Sequence, residues 1–192
     1  MTLRRFSAFP DTLAALLFAG LLSLVPVVVR ADSLQDANLL MKQGQLVPAL
    51  EKTDQLLATK PKDAQSRFLN CLILTEMNRH NEAIAIFTKL TEDYPELPEP
   101  YNNLAALYVQ QRQFEKARNA IEMAIRTHPS YATAHENLGD IYALMAAQAY
   151  DKALQIDSSN AGAQTKQALI RDLLKVSPRP AAVPKIAPAV RK

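Results

Sequence analysis

The chain has 192 residues, 48% of them hydrophobic, with 4 Gly, no Trp and a single cysteine, Cys71. That composition suits a mostly helical body of one domain and excludes an internal disulfide. The formal charge of +3 belongs to the two ends: residues 1–31 carry Arg4, Arg5 and Arg30 against Asp11, and residues 177–192 carry four cations and no acid. Residues 32–176 are left with 15 basic and 18 acidic side chains, so no nucleic-acid footprint covers the body.

Taken in order, the chain opens on a targeting segment. Arg4 and Arg5 precede an apolar run, Leu13 to Val29, and Val29-Arg30-Ala31 sets small residues at the −3 and −1 positions of a cleavage site. Residues 1–31 therefore read as a signal peptide cleaved near Ala31, giving a periplasmic or secreted protein. The alternative is an uncleaved anchor in the inner membrane with the body facing the periplasm. Helices are expected over Ser33–Gln43 and Val47–Thr59 with Gly44 in the turn, then Asp63–Met77, Asn81–Asp93, Pro98–Gln110 and Phe114–Thr127. From 135 to 156, Leu138, Ile141, Tyr142, Met145, Ala149, Ala153 and Ile156 run at i+3/i+4 spacing without Gly or Pro after Asp140, which predicts one continuous helix; the alternative is a tight kink near Ala146–Ala147. Ser158-Ser159-Asn160 caps a last helix, Ala161–Lys175, with Leu169, Ile170, Leu173 and Leu174 as its apolar side and Lys166, Arg171, Asp172 and Lys175 facing water. Residues 177–192, with four prolines, are expected to be a disordered basic tail.

These helices repeat. Pro61, Pro95 and Pro129 stand 34 residues apart, as do Ala49, Ala83 and Ala117. Ala37, Cys71 and Ala105 keep the interval, with Gly139 next in the column, and Leu40, Leu74, Tyr108 and Tyr142 follow three residues later. Tyr101, Leu104, Ala105, Tyr108, Ala117, Ile121, Ala124 and Pro129 complete one unit, in which small residues let two helices approach and large ones fill the remaining space. This period and these positions resemble the tetratricopeptide repeat family. The resemblance implies an all-α fold, a right-handed α-solenoid of about four repeats (about 30–63, 64–97, 98–131 and 132–160) closed by a capping helix at 161–176. Departures are visible: Ser33, Asp36, Arg67 and Asn70 occupy columns where large apolar residues are usual. The fourth repeat keeps Leu138, Gly139 and Tyr142 but lacks the five residues of its turn.

Chemistry is sparse. His80, His128 and His135 are the only histidines, none at metal-ligand spacing, and neither a phosphate loop nor a nucleophile elbow is present. No enzyme activity, metal or cofactor is expected. Cys71 reads as a small buried hydrophobe. What the resemblance implies is a concave groove, lined by the first helices, that binds another protein as an extended peptide or a helix. Its positions fall on Asn38, Phe68, Leu72, Asn102, Asn103, Asn137 and Asp140. Amide pairs suit backbone recognition, and the apolar residues suit a partner's side chains. The carboxylate clamp of the chaperone-binding subgroup is not expected, because the matching positions, Leu34, Asn38, Leu69, Glu99 and Asn103, lack its cations. The functional expectation is thus a non-enzymatic envelope scaffold. Its alternatives are a self-associating homo-oligomeric module and attachment to membrane or wall through the basic tail.

Overall fold

The computed structural model describes residues 32–176; the expected signal segment at 1–31 and the tail at 177–192 lie outside the described residues. Eight α-helices follow one another: α1 (Asp32–Lys42), α2 (Leu46–Thr59), α3 (Ala64–Glu76), α4 (His80–Asp93), α5 (Pro98–Gln110), α6 (Phe114–Thr127), α7 (Ala132–Ile156) and α8 (Ala161–Val176). They form an α-solenoid, helical throughout among the described residues. Each predicted helix is present, with ends differing by at most three residues.

Two kinds of turn generate the array. Within a repeat the first helix ends in paired backbone bonds: Gln45 N to Leu40 O with Gly44 N to Met41 O, Arg79 N to Leu74 O with Asn78 N to Thr75 O, and Gln113 N to Tyr108 O with Arg112 N to Val109 O. This helix stop needs a left-handed residue, and Gly44, Asn78 and Arg112 supply it at φ 74°, 58° and 57°. Between repeats the second helix stops at Lys60, Tyr94, His128 and Asp157, where the amides of Asp63, Leu97, Tyr131 and Asn160 return to those carbonyls. Pro61, Pro95 and Pro129 follow the first three stops, since proline cannot continue a helix. The stop at Asp157 arrives five residues early because the turn inside the fourth repeat is missing, and α7 runs unbroken for 25 residues.

The core divides in two. A large cluster gathers Cys71, Phe87, Leu104, Ala105, Leu107, Ala117, Ile121, Ala124 and Ile141 from α3 to α7. A smaller one holds Ala37, Ala49, Leu69 and Ile73. Polar residues in apolar columns are paired: Asp36 with Lys52 at 3.2 Å, Arg67 with Asp93 at 2.5 Å, and Asn70 with Thr53 and Asp54 at 2.9 and 2.8 Å.

Helix α8 begins as expected, with Ala163 N donating to Asn160 Oδ1 at 2.9 Å. Its sides differ from expectation. Ile170 and Leu174 turn partly inward, whereas Leu169 and Leu173 are 64% and 58% exposed. The reason is that α8 packs on α7, and no helix follows among the described residues to cover its second flank. Arg171 and Lys166, expected only to face water, also reach α7, the first toward Asp151 and the second over the Tyr150 ring at 5.8 Å.

Candidate functional site

Helices α1, α3, α5 and α7, one from each successive repeat, supply the residues of the expected groove. On α5, glutamate and asparagine lie one turn apart: Asn103 Nδ2 donates to the Glu99 carbonyl at 2.8 Å, which fixes the amide and leaves Asn103 Oδ1 buried without a partner. Asn102 is fully buried, and Asn137 Nδ2 of α7 donates to Asn102 Oδ1 at 2.6 Å. The structure therefore joins Asn102 and Asn137 across a repeat boundary, with Asn103 beside them on α5. A buried amide pair of this kind holds two helices in register, because separating them leaves polar groups unsatisfied.

Phe68 and Leu72 sit one turn apart on α3. Phe68 is buried and meets Phe87 edge-on, ring centroids 5.6 Å apart at 71°, while Leu72 is half-buried against the same cluster. Asp140 is half-buried on α7. Asn38, half-buried on α1, belongs to the part of the array served by the smaller cluster, away from the amides of α5 and α7. The expected site residues thus fall into an apolar pair on α3, an amide group on α5 and α7, and an outlying asparagine.

Two neighbours of the amide group complete its surroundings: Glu99, which the sequence marks only as a clamp position without its cation, and Tyr131, which it does not mark. Glu99 is buried, and the Tyr131 hydroxyl is buried without a hydrogen-bond partner. Burial first, and then the charge of Glu99, push the Tyr131 phenol up to about 12. Glu99 occupies a groove position in the repeat register, which was the available signal; Tyr131 follows the turn proline and carries none. Charge along this face has one sign. In that register Glu99, Glu136 and Asp140 belong to the groove positions of α5 and α7, and no Lys or Arg occupies a groove position. Burial also raises the Cys71 thiol well above its ordinary value. Among the described residues no group of three or more His, Cys, Asp or Glu could hold a metal ion, and no helix is long and apolar enough to cross a membrane.

Comparison with known proteins places these observations. Residues 74–141 match the profile described as tetratricopeptide repeat. Over 89 residues the chain is 32% identical to the chloroplastic tetratricopeptide repeat domain-containing protein PYG7 of Arabidopsis thaliana, a match covering 44% of this chain and 30% of that protein. It thus spans less than a third of that relative. Among solved structures, it is similar to the MamA protein, with a TM-score of 0.55 and 19% identity over 73% of this chain and 80% of that one. It is also similar to a tetratricopeptide repeat protein from Parabacteroides merdae ATCC 43184, with a TM-score of 0.55 and 20% identity over 76% of this chain and 61% of that one. At those identities the likeness concerns the fold.

Proposed function

The chain is a tetratricopeptide repeat protein, and from that premise we propose that it is a non-enzymatic scaffold that holds a segment of another protein against α3, α5 and α7. Tetratricopeptide repeats generally mediate protein–protein interaction, and they are typically non-catalytic. The observation that carries the reading is the buried, unpartnered Asn103 Oδ1, held in place by the bond from its own amide nitrogen to Glu99. An acceptor in that position takes a backbone N–H of a bound segment without reading its side chain. Leu72, half-buried on α3, offers apolar contact nearby in the array, whereas Phe68 is taken up by the core against Phe87, and the acidic groove register favours a neutral or basic segment over an anionic terminus.

The export signal read in residues 1–31 supports a place for this scaffold in the bacterial envelope, as a periplasmic or secreted protein or one anchored at the inner membrane. The experiment is a crosslinking capture from intact envelopes, with wild type run beside an Asn103→Ala/Asn137→Ala variant of native circular dichroism. A partner held by wild type and lost from the folded variant supports groove recognition. Identical partners from both exclude it. Recovery of the chain only in the cytoplasmic fraction excludes the envelope assignment.

A further inference from the structure

The fourth repeat contains both halves of a helix–helix contact and lacks the turn that would bring them together. In the third repeat the α5–α6 hairpin brings Leu104, Ala117 and Ile121 into one cluster with Tyr108 packed against it, and the antiparallel register pairs Leu104 with Ile121 and Tyr108 with Ala117. The same columns in the fourth repeat are Leu138 and Tyr142, then Tyr150 and Ala146, and all four lie in the single helix α7. Tyr142 and Ala146 are one turn apart on one face of the same helix, neighbours along it and not partners across a helix–helix contact.

Exposure records the consequence. Leu74 is 3% exposed and Tyr142, in the same column, is 49% exposed. Cys71 and Ala105 are fully buried, whereas Gly139 is exposed with open space where a side chain would stand. Ala83 and Ala117 are fully buried, and Ala146 is only half-buried. A face that is interior in the earlier repeats is thus uncovered at Gly139 and Tyr142 and half-covered at Ala146, while Leu138 borders the core cluster and Tyr150 lies under Lys166 of α8.

We infer that a second copy of the chain covers it. Two α7 helices pack antiparallel about a two-fold axis, so that the first half of each lies on the second half of the other. Both fourth repeats then close at once, with Leu138 against the second copy's Tyr150 and Tyr142 against the second copy's Ala146. The midpoint of each pair is Leu144, where the axis passes. The second copy is the occupant because the missing complement is encoded in the chain itself. Ala146, Tyr150 and Ala153 keep the small–large–small pattern of Ala117, Ile121 and Ala124, though in cis they have no first helix to meet. Such a contact is isologous and exchanges equivalent elements, a low-cost route to a dimer. A helix of 25 residues is about 37 Å long, enough for two halves of three turns each.

The test uses the full chain in a Cys71→Ala background. Light scattering gives twice the 21.3 kDa chain mass. His135→Cys chains mixed with Ala153→Cys chains oxidise to a covalent dimer, whereas neither does so alone, because like positions stand roughly 27 Å apart along the pair. Inserting five turn residues, Gln-Arg-Gln-Phe-Glu, between Leu144 and Met145 lets the repeat close in cis and returns the chain to a monomer. A monomeric parent, crosslinking by either single variant alone, or a dimer that survives the insertion overturns the proposal.

Discussion

Asn70 Nδ2 donates to Thr53 Oγ1 at 2.9 Å, inside the contact between α2 and α3, where both residues are buried. The column of Asn70 holds leucine in the third and fourth repeats, and that of Thr53 holds Phe87 and Ile121. Two polar departures from the repeat meet each other, and the Thr53 hydroxyl in turn donates a hydrogen bond to the Leu50 carbonyl at 2.8 Å.

Removing one member is therefore costly. Asn70→Ala, which strands the Thr53 hydroxyl oxygen, destabilises the chain by about 1–3 kcal/mol. Asn70→Leu with Thr53→Val replaces both polar groups and is more stable than Asn70→Ala. Urea unfolding of the three proteins checks this; equal losses would show that the pair contributes nothing.

The left-handed turn residues make a second comparison. Gly44→Ala places a Cβ at φ 74° and lowers stability by about 1 kcal/mol. Arg112→Gly relieves the same strain at φ 57° but forgoes the guanidinium stacked 5.9 Å from the Phe114 ring, so its gain is about 0.5 kcal/mol. Opposite shifts in melting temperature are expected, and a loss on Arg112→Gly would refute the strain argument.

The pairing of Asp93 with Arg67 has a pH signature. The hydrogen bond from Arg67 comes first among the causes that hold the Asp93 carboxyl below its ordinary 3.8. A carboxylate depressed in the folded state stabilises above its unfolded pKa, and that contribution disappears as pH falls through the folded value. Wild type should exceed Asp93→Asn in stability at about pH 7, with the gap closing as pH falls below 3.8 and through the folded value. A gap independent of pH would assign the difference to packing.

Cys71 provides a direct probe of burial. Its side chain is fully inaccessible and its thiol is raised by desolvation, so a thiol reagent should leave it unmodified in native buffer and label it in denaturant. Rapid native labelling would mean that α3 and α4 separate readily.

The repeat made most of this fold legible. Columns spaced by 34 fixed the helices, and the shortened interval from Tyr142 to Tyr150 exposed the lost turn, because a deletion inside a periodic sequence is visible as a change of phase. Asn78 and Arg112 gave no comparable warning, since neither is the glycine that a left-handed position favours. Arg67 and Asn70 were visible as departures, but their partners were not, because Asp93, Thr53 and Asp54 lie in neighbouring helices. The groove was legible as a set of positions only. The bond between Asn137 and Asn102 links two adjacent columns across a repeat boundary, and a search at one fixed period passes over it.

The two core clusters give the array unequal ends. Helices α1 and α2 lean chiefly on the smaller cluster, so they can fray while α3 to α6 stay folded. At the other end α7 offers no hinge between the contact with α6 and the contact with α8. Amide protons of Ala132–Ile156 should consequently exchange as one correlated block, while those of α1 and α2 are lost early, giving the chain a soft front and a stiff rear.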